Sequence, residues 1–110
     1  MNIITIKENR DFRRIYTKGK SYVNPVLVVY VLKQRYDKTR VGITTSKKIG
    51  KAVQRNRARR IIMAAYRELY PQLKDGYDII FVARGRTPYL KSTDVLRCME
   101  NQLKKAGVLK

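Results

Sequence analysis

The chain has 110 residues, which suits one domain with a real hydrophobic core, and its apolar share of 44% argues against wholesale disorder. Its 26 lysines and arginines outnumber 8 acidic residues, and the resulting formal charge of +18 predicts a polyanionic partner, because such charge destabilises a compact chain by self-repulsion. Histidine is absent and Cys98 is the lone cysteine, which excludes histidine-based catalysis, cysteine-based zinc sites and internal disulfides.

The N-terminal segment "MNIITIKENR" has only short apolar runs. It therefore predicts neither a signal peptide nor a membrane helix. Together with the single thiol, this favours a cytoplasmic protein whose residues 1–110 form one domain.

The first elements predicted along the chain are a helix and two strands. Residues 9–19 begin with a capping asparagine and end at a glycine, and Phe12, Ile15 and Tyr16 share one helical face. The run "PVLVVYVLK" is apolar at nearly every position, which predicts a central strand, and "RVGITT" predicts a second one. A short polar turn separates these strands, so we expect an antiparallel hairpin, with Gly42 at a bulge or a close contact.

A long helix, a buried strand and a final helix follow. The long helix is predicted from about Ala52 to Tyr70, with its core stripe at helical spacing: Ala58, Ile62, Ala65 and Leu69. The run "YDIIFVAR" predicts another strand and "RGRTPYLKS" a basic loop, and the last helix begins at Ser92 or Thr93 and ends near Gly107. The pattern predicts an α/β (α+β) sandwich, a small and mostly antiparallel sheet of about four strands with three helices in the order αβββαβα.

The predicted long helix is unusually basic. From Lys38 to Arg67 the chain has ten basic residues and no acidic one, so i±4 ion pairs with glutamate do not explain the charge. The helix face opposite the core stripe carries Asn56, Arg60, Met63 and Arg67, with Arg57 and Arg59 beside it, and the preceding loop carries Lys47, Lys48 and Lys51. Because planar guanidinium groups suit phosphate, we predict that this face binds a polyanion rather than only water.

Three aromatic residues, Phe12, Tyr16 and Tyr30, allow two interpretations. They either belong to the core, the commoner fate of such residues, or frame a groove in which single-stranded bases stack. The basic residues around Phe12 favour the groove, and Arg84, just beyond the last strand, is placed to reach it.

No catalytic constellation is recognisable. The eight carboxylates are scattered, whereas protein nucleases gather acids around Mg²⁺ or use histidine. The run "GITTSKKIGKA" follows a strand and opens a helix, as a phosphate-binding loop does, but its glycines are too far apart. Ala52 also replaces the hydroxyl residue that would bind Mg²⁺, so nucleotide hydrolysis is excluded.

The stretch "RVGITTSKKIGKAVQRNRARR" strongly resembles the bacterial ribonuclease P protein subunit, whose signature has the pattern SKKxGxAVxRNRxxR. The stretches "ENRDFRRIYTKGKS", "LVVYVL" and "DIIFVAR" agree with that family as well, so the resemblance covers nearly the whole chain. It implies a non-catalytic protein subunit of an RNA-based endoribonuclease that removes the 5′ leader from precursor tRNA. By this resemblance, the RNA and its Mg²⁺ supply the chemistry, and the protein holds no tightly bound cofactor or metal and no catalytic residue.

The resemblance also implies where RNA binds. The basic face, extended by the first arginine of the RNR signature, would lie against the catalytic RNA: Lys47, Lys48, Lys51, Arg55, Asn56, Arg57, Arg59, Arg60 and Arg67. A leader-binding cleft would be formed by Phe12, Tyr16 and Tyr30, with Arg84 at its edge, instead of a closed core. The implied fold contains a left-handed βαβ crossover, whereas the general rule for such connections predicts a right-handed one.

These observations predict a protein that is monomeric by itself, avoids membranes, and binds the catalytic RNA and the 5′ leader of precursor tRNA. By holding the single-stranded leader it would raise substrate affinity, and by neutralising RNA phosphates it would lower the Mg²⁺ requirement. One rival is a ribosomal-type RNA-binding protein or RNA chaperone with no role in cleavage, which predicts no preference for precursor over mature tRNA. A second rival, a self-sufficient nuclease, predicts cleavage by the protein without RNA.

Overall fold

The structure, a computed structural model, describes residues 3–110. They form helices α1 (Asn9–Lys18), α2 (Ala52–Leu69) and α3 (Ser92–Lys105), and strands β1 (Ile4–Thr5), β2 (Lys20–Val23), β3 (Leu27–Lys33), β4 (Arg40–Thr44) and β5 (Tyr77–Ala83). The α+β class and the three predicted helices are confirmed. The sheet has five strands instead of about four, because the two-residue β1, too short to leave a sequence pattern, pairs with β4.

The predicted hairpin between the strands "PVLVVYVLK" and "RVGITT", which are β3 and β4, is wrong. The strand order is β1-β4-β5-β3-β2, so β5 lies between β3 and β4, antiparallel to the first and parallel to the second. The sheet is therefore mixed, with two parallel and two antiparallel pairings, instead of mostly antiparallel. The reason is burial: β5 is apolar on both faces, and only a central position covers both.

The segment β4–α2–β5 is a βαβ crossover between neighbouring parallel strands. The basic loop follows β4 directly and leads into α2. The lysines of that loop therefore lie at the same end of the strands as Thr44. The left-handed sense implied by the family resemblance stays a prediction for this connection.

Helices cover both faces of the sheet. On one face α2 and α3 enclose the main core, in which Ala58, Ile62, Ala65 and Leu69 of the predicted stripe are all buried against β-strand residues such as Phe81. On the other face α1 packs Ile15 against Ile80, with Phe12, Tyr16 and Tyr30 partly buried around them. Truncation of a fully buried isoleucine such as Ile15 typically costs about 2–5 kcal/mol, so α1 is firmly held to the sheet.

Gly42 allows α1 to approach the sheet closely. A Cβ atom at this position would lie 2.8 Å from Cε1 of Phe12, far inside van der Waals contact. The predicted close contact at Gly42 is therefore confirmed, and its partner is the aromatic ring that the sequence placed in the leader cleft.

A buried aspartate near the start of β5 also ties α1 to the sheet. Asp78 is fully buried and accepts hydrogen bonds from Nε and Nη2 of Arg40 at 2.8 and 2.7 Å and from Nε2 of Gln34 at 2.8 Å. Arg14 of α1 reaches the same carboxylate at 3.4 Å, and both arginines also pair with Asp11. The hydrogen bond to Asp78 raises the pKa of the Arg40 guanidinium, which secures its charge.

Candidate nucleic-acid interface

The leader cleft, defined here by Phe12, Tyr16 and Tyr30, is a chain of aromatic rings between α1 and β3. The ring centroids of Phe12 and Tyr16 are 6.4 Å apart, and those of Tyr16 and Tyr30 are 4.8 Å apart with the planes at 83°. All three side chains are only partly buried. They pack against the small α1-side core and remain partly exposed, so they are not a closed core. Stacking of leader bases on them stays a prediction.

The hydroxyl of Tyr16 positions this chain of rings. It lies 2.6 Å from Oγ1 of Thr44, and either oxygen could donate the hydrogen. Burial raises the pKa of the Tyr16 phenol, against a smaller opposing effect of the bond to Thr44. The ring is therefore neutral at physiological pH and fixed to the last residue of β4.

Arg59, whose predicted contact with the catalytic RNA stays a prediction, lies beside the leader cleft. Its Nη1 donates to the carbonyl of Ile43 at 3.2 Å and its Nη2 to Oγ1 of Thr45 at 3.0 Å. It lines a hollow of about 340 Å³ with Phe12 and Met63, and an adjoining shallow depression that includes Tyr16. The sequence indicated that Arg59 points to one side, since it lies on one flank of the predicted basic helix face.

Met63 departs from its predicted position on the polar face. It is half-buried and packs against the main core on the flank of α2 that faces the hollow. The reason is that apolar residues of β4 and the Phe12 ring line the same hollow, so this flank of α2 has apolar neighbours.

The loop lysines and most of the helix residues are exposed as predicted. Lys47 and Lys48 lie in a short 3₁₀ turn, Lys47–Ile49, and Lys51 follows it. Gly50 ends the turn with a φ of 141°. Nη1 of Arg55 approaches the Gly50 carbonyl at 3.5 Å, which steadies the loop against the first turn of α2. Asn56, Arg57, Arg60 and Arg67 lie exposed along the helix.

Among residues 3–110, these cations form no ion pairs with acidic side chains. Within residues 3–110, the ion pairs join Arg10, Arg14, Arg40 and Lys104 to carboxylates, and none involves a basic residue of α2 or of the lysine loop. Their charge is thus available for phosphate, because no internal pair must be broken to reach it.

Arg84 lies at the C-terminal end of the central strand β5. It directly follows β5, two residues beyond Val82, which pairs with Thr44 of β4. Its side chain is exposed and its backbone N–H donates to Oγ1 of Thr87 at 2.9 Å. A role for Arg84 in leader binding stays a prediction.

The fold is an α+β sandwich with a partly exposed aromatic cleft beside a helix whose basic side chains form no ion pairs within residues 3–110. These are features of an RNA-binding protein. The sequence model of the family Ribonuclease P matches residues 2–107. The chain belongs to the ribonuclease P protein family and is a bacterial ribonuclease P protein subunit.

Relatives and solved structures agree with this assignment. The chain is 44% identical over 104 residues to the ribonuclease P protein component of Clostridium botulinum (strain 657 / Type Ba4), covering 94% of each chain. It is similar to the 2.0 Å structure of the Staphylococcus aureus RNase P protein, with a TM-score of 0.87, 35% identity and coverage of 99% of this chain and 100% of that one. An S. aureus RNase P protein mutant described as defective in mRNA degradation activity has a TM-score of 0.86 and 37% identity, over 96% of this chain and 89% of that one. A ribosomal-type protein without a role in cleavage is not favoured.

Proposed function

We propose that the protein acts in the maturation of tRNA 5′ ends by docking α2 on the catalytic RNA of ribonuclease P while the leader cleft holds the 5′ leader of precursor tRNA. The observation that carries this proposal is the junction at the end of β4. Tyr16 bonds to Thr44, and Arg59 bonds to the next residue, Thr45. Neighbouring residues of one segment thus anchor the cleft and the basic helix, so a docked RNA and a bound leader are held in a fixed geometry.

The catalytic RNA and its Mg²⁺ perform the hydrolysis in this proposal, and the protein holds no tightly bound cofactor. In support, Asp11 and Asp78, two carboxylates that share partners, are already engaged by Arg14 and Arg40. The protein contributes by neutralising RNA phosphates, which raises substrate affinity and lowers the Mg²⁺ requirement of the complex. It does so as a monomeric chain in the cytoplasm. Within residues 3–110, no helix is both long and apolar enough to cross a bilayer.

Leader cleavage at near-physiological Mg²⁺ tests the proposal. A precursor tRNA is incubated with a bacterial ribonuclease P RNA, with and without this protein, beside controls with protein alone and RNA alone. We expect cleavage at the mature 5′ end when both components are present. A protein that binds the RNA without ever restoring cleavage would contradict the proposed role.

A pair of variants separates the two surfaces. Arg60→Ala removes a cation from the helix and should weaken binding of the catalytic RNA. Phe12→Ala removes a stacking ring, worth about 1–3 kcal/mol per base, and should weaken precursor tRNA binding by roughly 5- to 150-fold while leaving mature tRNA binding unchanged. Circular dichroism melts control for folding, because Phe12 also contacts the α1-side core. An equal loss on precursor and mature tRNA would remove the cleft from the proposal.

A second candidate function comes from the S. aureus relative whose mutant is defective in mRNA degradation activity. The protein-alone control addresses it directly when a messenger RNA fragment replaces the precursor tRNA. Degradation that persists after further chromatographic purification, and that decreases in an Arg60→Ala variant, would assign this activity to the chain. The absence of products would restrict the protein to its role with the catalytic RNA.

A further inference from the structure

A second groove lies on the flank of α2 that faces away from the leader cleft. It has a volume of about 650 Å³ and runs between the helix and the loop that precedes α3. This is within the ~300–1,000 Å³ that small-ligand sites occupy, so a nucleotide fits in it. We call it the tyrosine groove, and its lining residues are Arg57, Arg60, Ile61, Ala64, Pro88, Tyr89, Leu90, Lys91 and Ser92.

Tyr89 forms an exposed aromatic wall on a well-anchored loop. Its side chain is 71% exposed, whereas the two preceding residues, Thr87 and Pro88, are buried. Oγ1 of Thr87 donates to the carbonyl of Val26 at 2.8 Å and accepts from the N–H of Arg84 at 2.9 Å. The loop is therefore fixed to the sheet, and a ligand that stacks on Tyr89 has little backbone entropy to remove.

The charged residues that line the tyrosine groove are all basic. Arg57 and Arg60 face the groove from α2 and Lys91 from the loop, and no acidic residue contributes to its lining. The lining also has apolar surface, which is supplied by Ile61, Ala64, Pro88 and Leu90. An exposed ring next to apolar surface and unpaired guanidinium groups is the chemistry that binds an unpaired nucleotide, with the base on the ring and the phosphate on the cations.

We infer that the tyrosine groove binds an unpaired strand of the RNA on which α2 docks, with a base stacked on Tyr89 and its phosphates held by Arg57, Arg60 and Lys91. The inference rests on the proposed function, because the occupant is that docked RNA. Position selects it over the 5′ leader: Arg57 and Arg60 continue the exposed basic face, while Arg59 and Phe12 meet on the opposite flank of α2. The sequence indicated a basic loop here, but only the fold sets Tyr89 beside these arginines.

Binding of the catalytic RNA by Tyr89 variants tests the inference. Labelled bacterial ribonuclease P RNA is titrated with wild type, Tyr89→Ala and Tyr89→Phe, and with Tyr36→Ala as a matched control, since Tyr36 is another exposed tyrosine outside the groove. We expect Tyr89→Ala to weaken binding about tenfold, while Tyr89→Phe and Tyr36→Ala bind within about twofold of wild type. Lys91→Ala should lower the slope of log affinity against log salt by about one. Thermal melts establish that all variants are folded.

A photo-crosslinking amino acid at position 89 identifies the occupant in the assembled complex with precursor tRNA. Crosslinks to unpaired nucleotides of the catalytic RNA are the expected result. Crosslinks to the leader, or none to RNA, overturn the inference, as does a Tyr89→Ala protein with unchanged RNA affinity. Leader cleavage by the wild-type complex is measured separately, so the failure of the groove is distinguishable from the failure of the proposed function.

Discussion

Arginine has two different roles in two regions of this protein. Between α1 and the sheet, Arg14 and Arg40 converge on the fully buried Asp78. Along α2, Arg57 and Arg60 are exposed with no carboxylate partner within residues 3–110. The first pair helps to hold the fold together, while the second adds to the self-repulsion of a chain with a charge of +18. Retaining such charge is understandable when a polyanion is the partner that relieves it.

The largest expected effect comes from removing the buried acid. Asp78→Ala leaves Arg40 without its bidentate partner and Gln34 without its acceptor, and breaking a buried pair in this way costs about 3–5 kcal/mol. Urea denaturation should show this loss in the free energy of unfolding. The matched control is Asp75→Ala, an exposed acid three residues away. A cost of Asp78→Ala similar to that of the control would show that the pair is not structural.

An intermediate effect, on RNA affinity and not on stability, is expected when the exposed arginines are removed. The double variant Arg57→Ala/Arg60→Ala should change the free energy of unfolding by less than about 0.5 kcal/mol, because neither side chain forms an ion pair within residues 3–110. Its affinity for the catalytic RNA should fall, with the salt slope reduced by about two. Filter binding across a salt series measures both quantities. A large loss of stability with an unchanged salt slope would erase the distinction between the two groups of arginines.

The smallest effect concerns Tyr16, which lies between the two regions. Its pKa is raised above the ordinary value of 10.0, chiefly by burial, so the neutral phenol is favoured in the fold. The stability contributed by Tyr16 is therefore present below pH 10 and is lost as the pH rises through the raised value, because the unfolded chain ionises first. Compared with Tyr16→Phe, wild type should be more stable by about 0.5–1.5 kcal/mol at pH 8, where the bond to Thr44 is intact.

Urea denaturation of both proteins between pH 8 and pH 11 measures this difference. The advantage of wild type should decline as the pH rises above 10, and taking the difference cancels the titration of the other tyrosines. Stability curves that run parallel over the whole range would mean that Tyr16 does not titrate in a buried setting.

Local features were predictable along the chain. The stripe of Ala58, Ile62, Ala65 and Leu69 is buried as its spacing indicated, because helical periodicity is a property of neighbouring residues. The exposed lysines and arginines followed from composition, since charge of one sign without acids at i±4 has no internal partner. A close contact at Gly42 was also predicted, although its partner, the ring of Phe12, was not.

Non-local features were not predictable in the same way. β5 lies between β3 and β4 because it is apolar on both faces and needs cover on both. β3 and β4, which are neighbours in the sequence, therefore do not form the expected hairpin. The bond of Arg40 to Asp78 joins residues 38 positions apart, and nothing in either local sequence indicates the other. The identity of the partner of a charged residue is a property of the packed chain.

The sequence by itself determined the class of fold, the helices, the excess of positive charge and the family, because each follows from local periodicity, composition or a contiguous motif. Only the tertiary structure decided which cations are available and which flank of α2 each one serves. It turned Arg59 toward the leader cleft and Arg57 and Arg60 toward Tyr89, since the sheet edge and the loop before α3 pack on opposite sides of one helix.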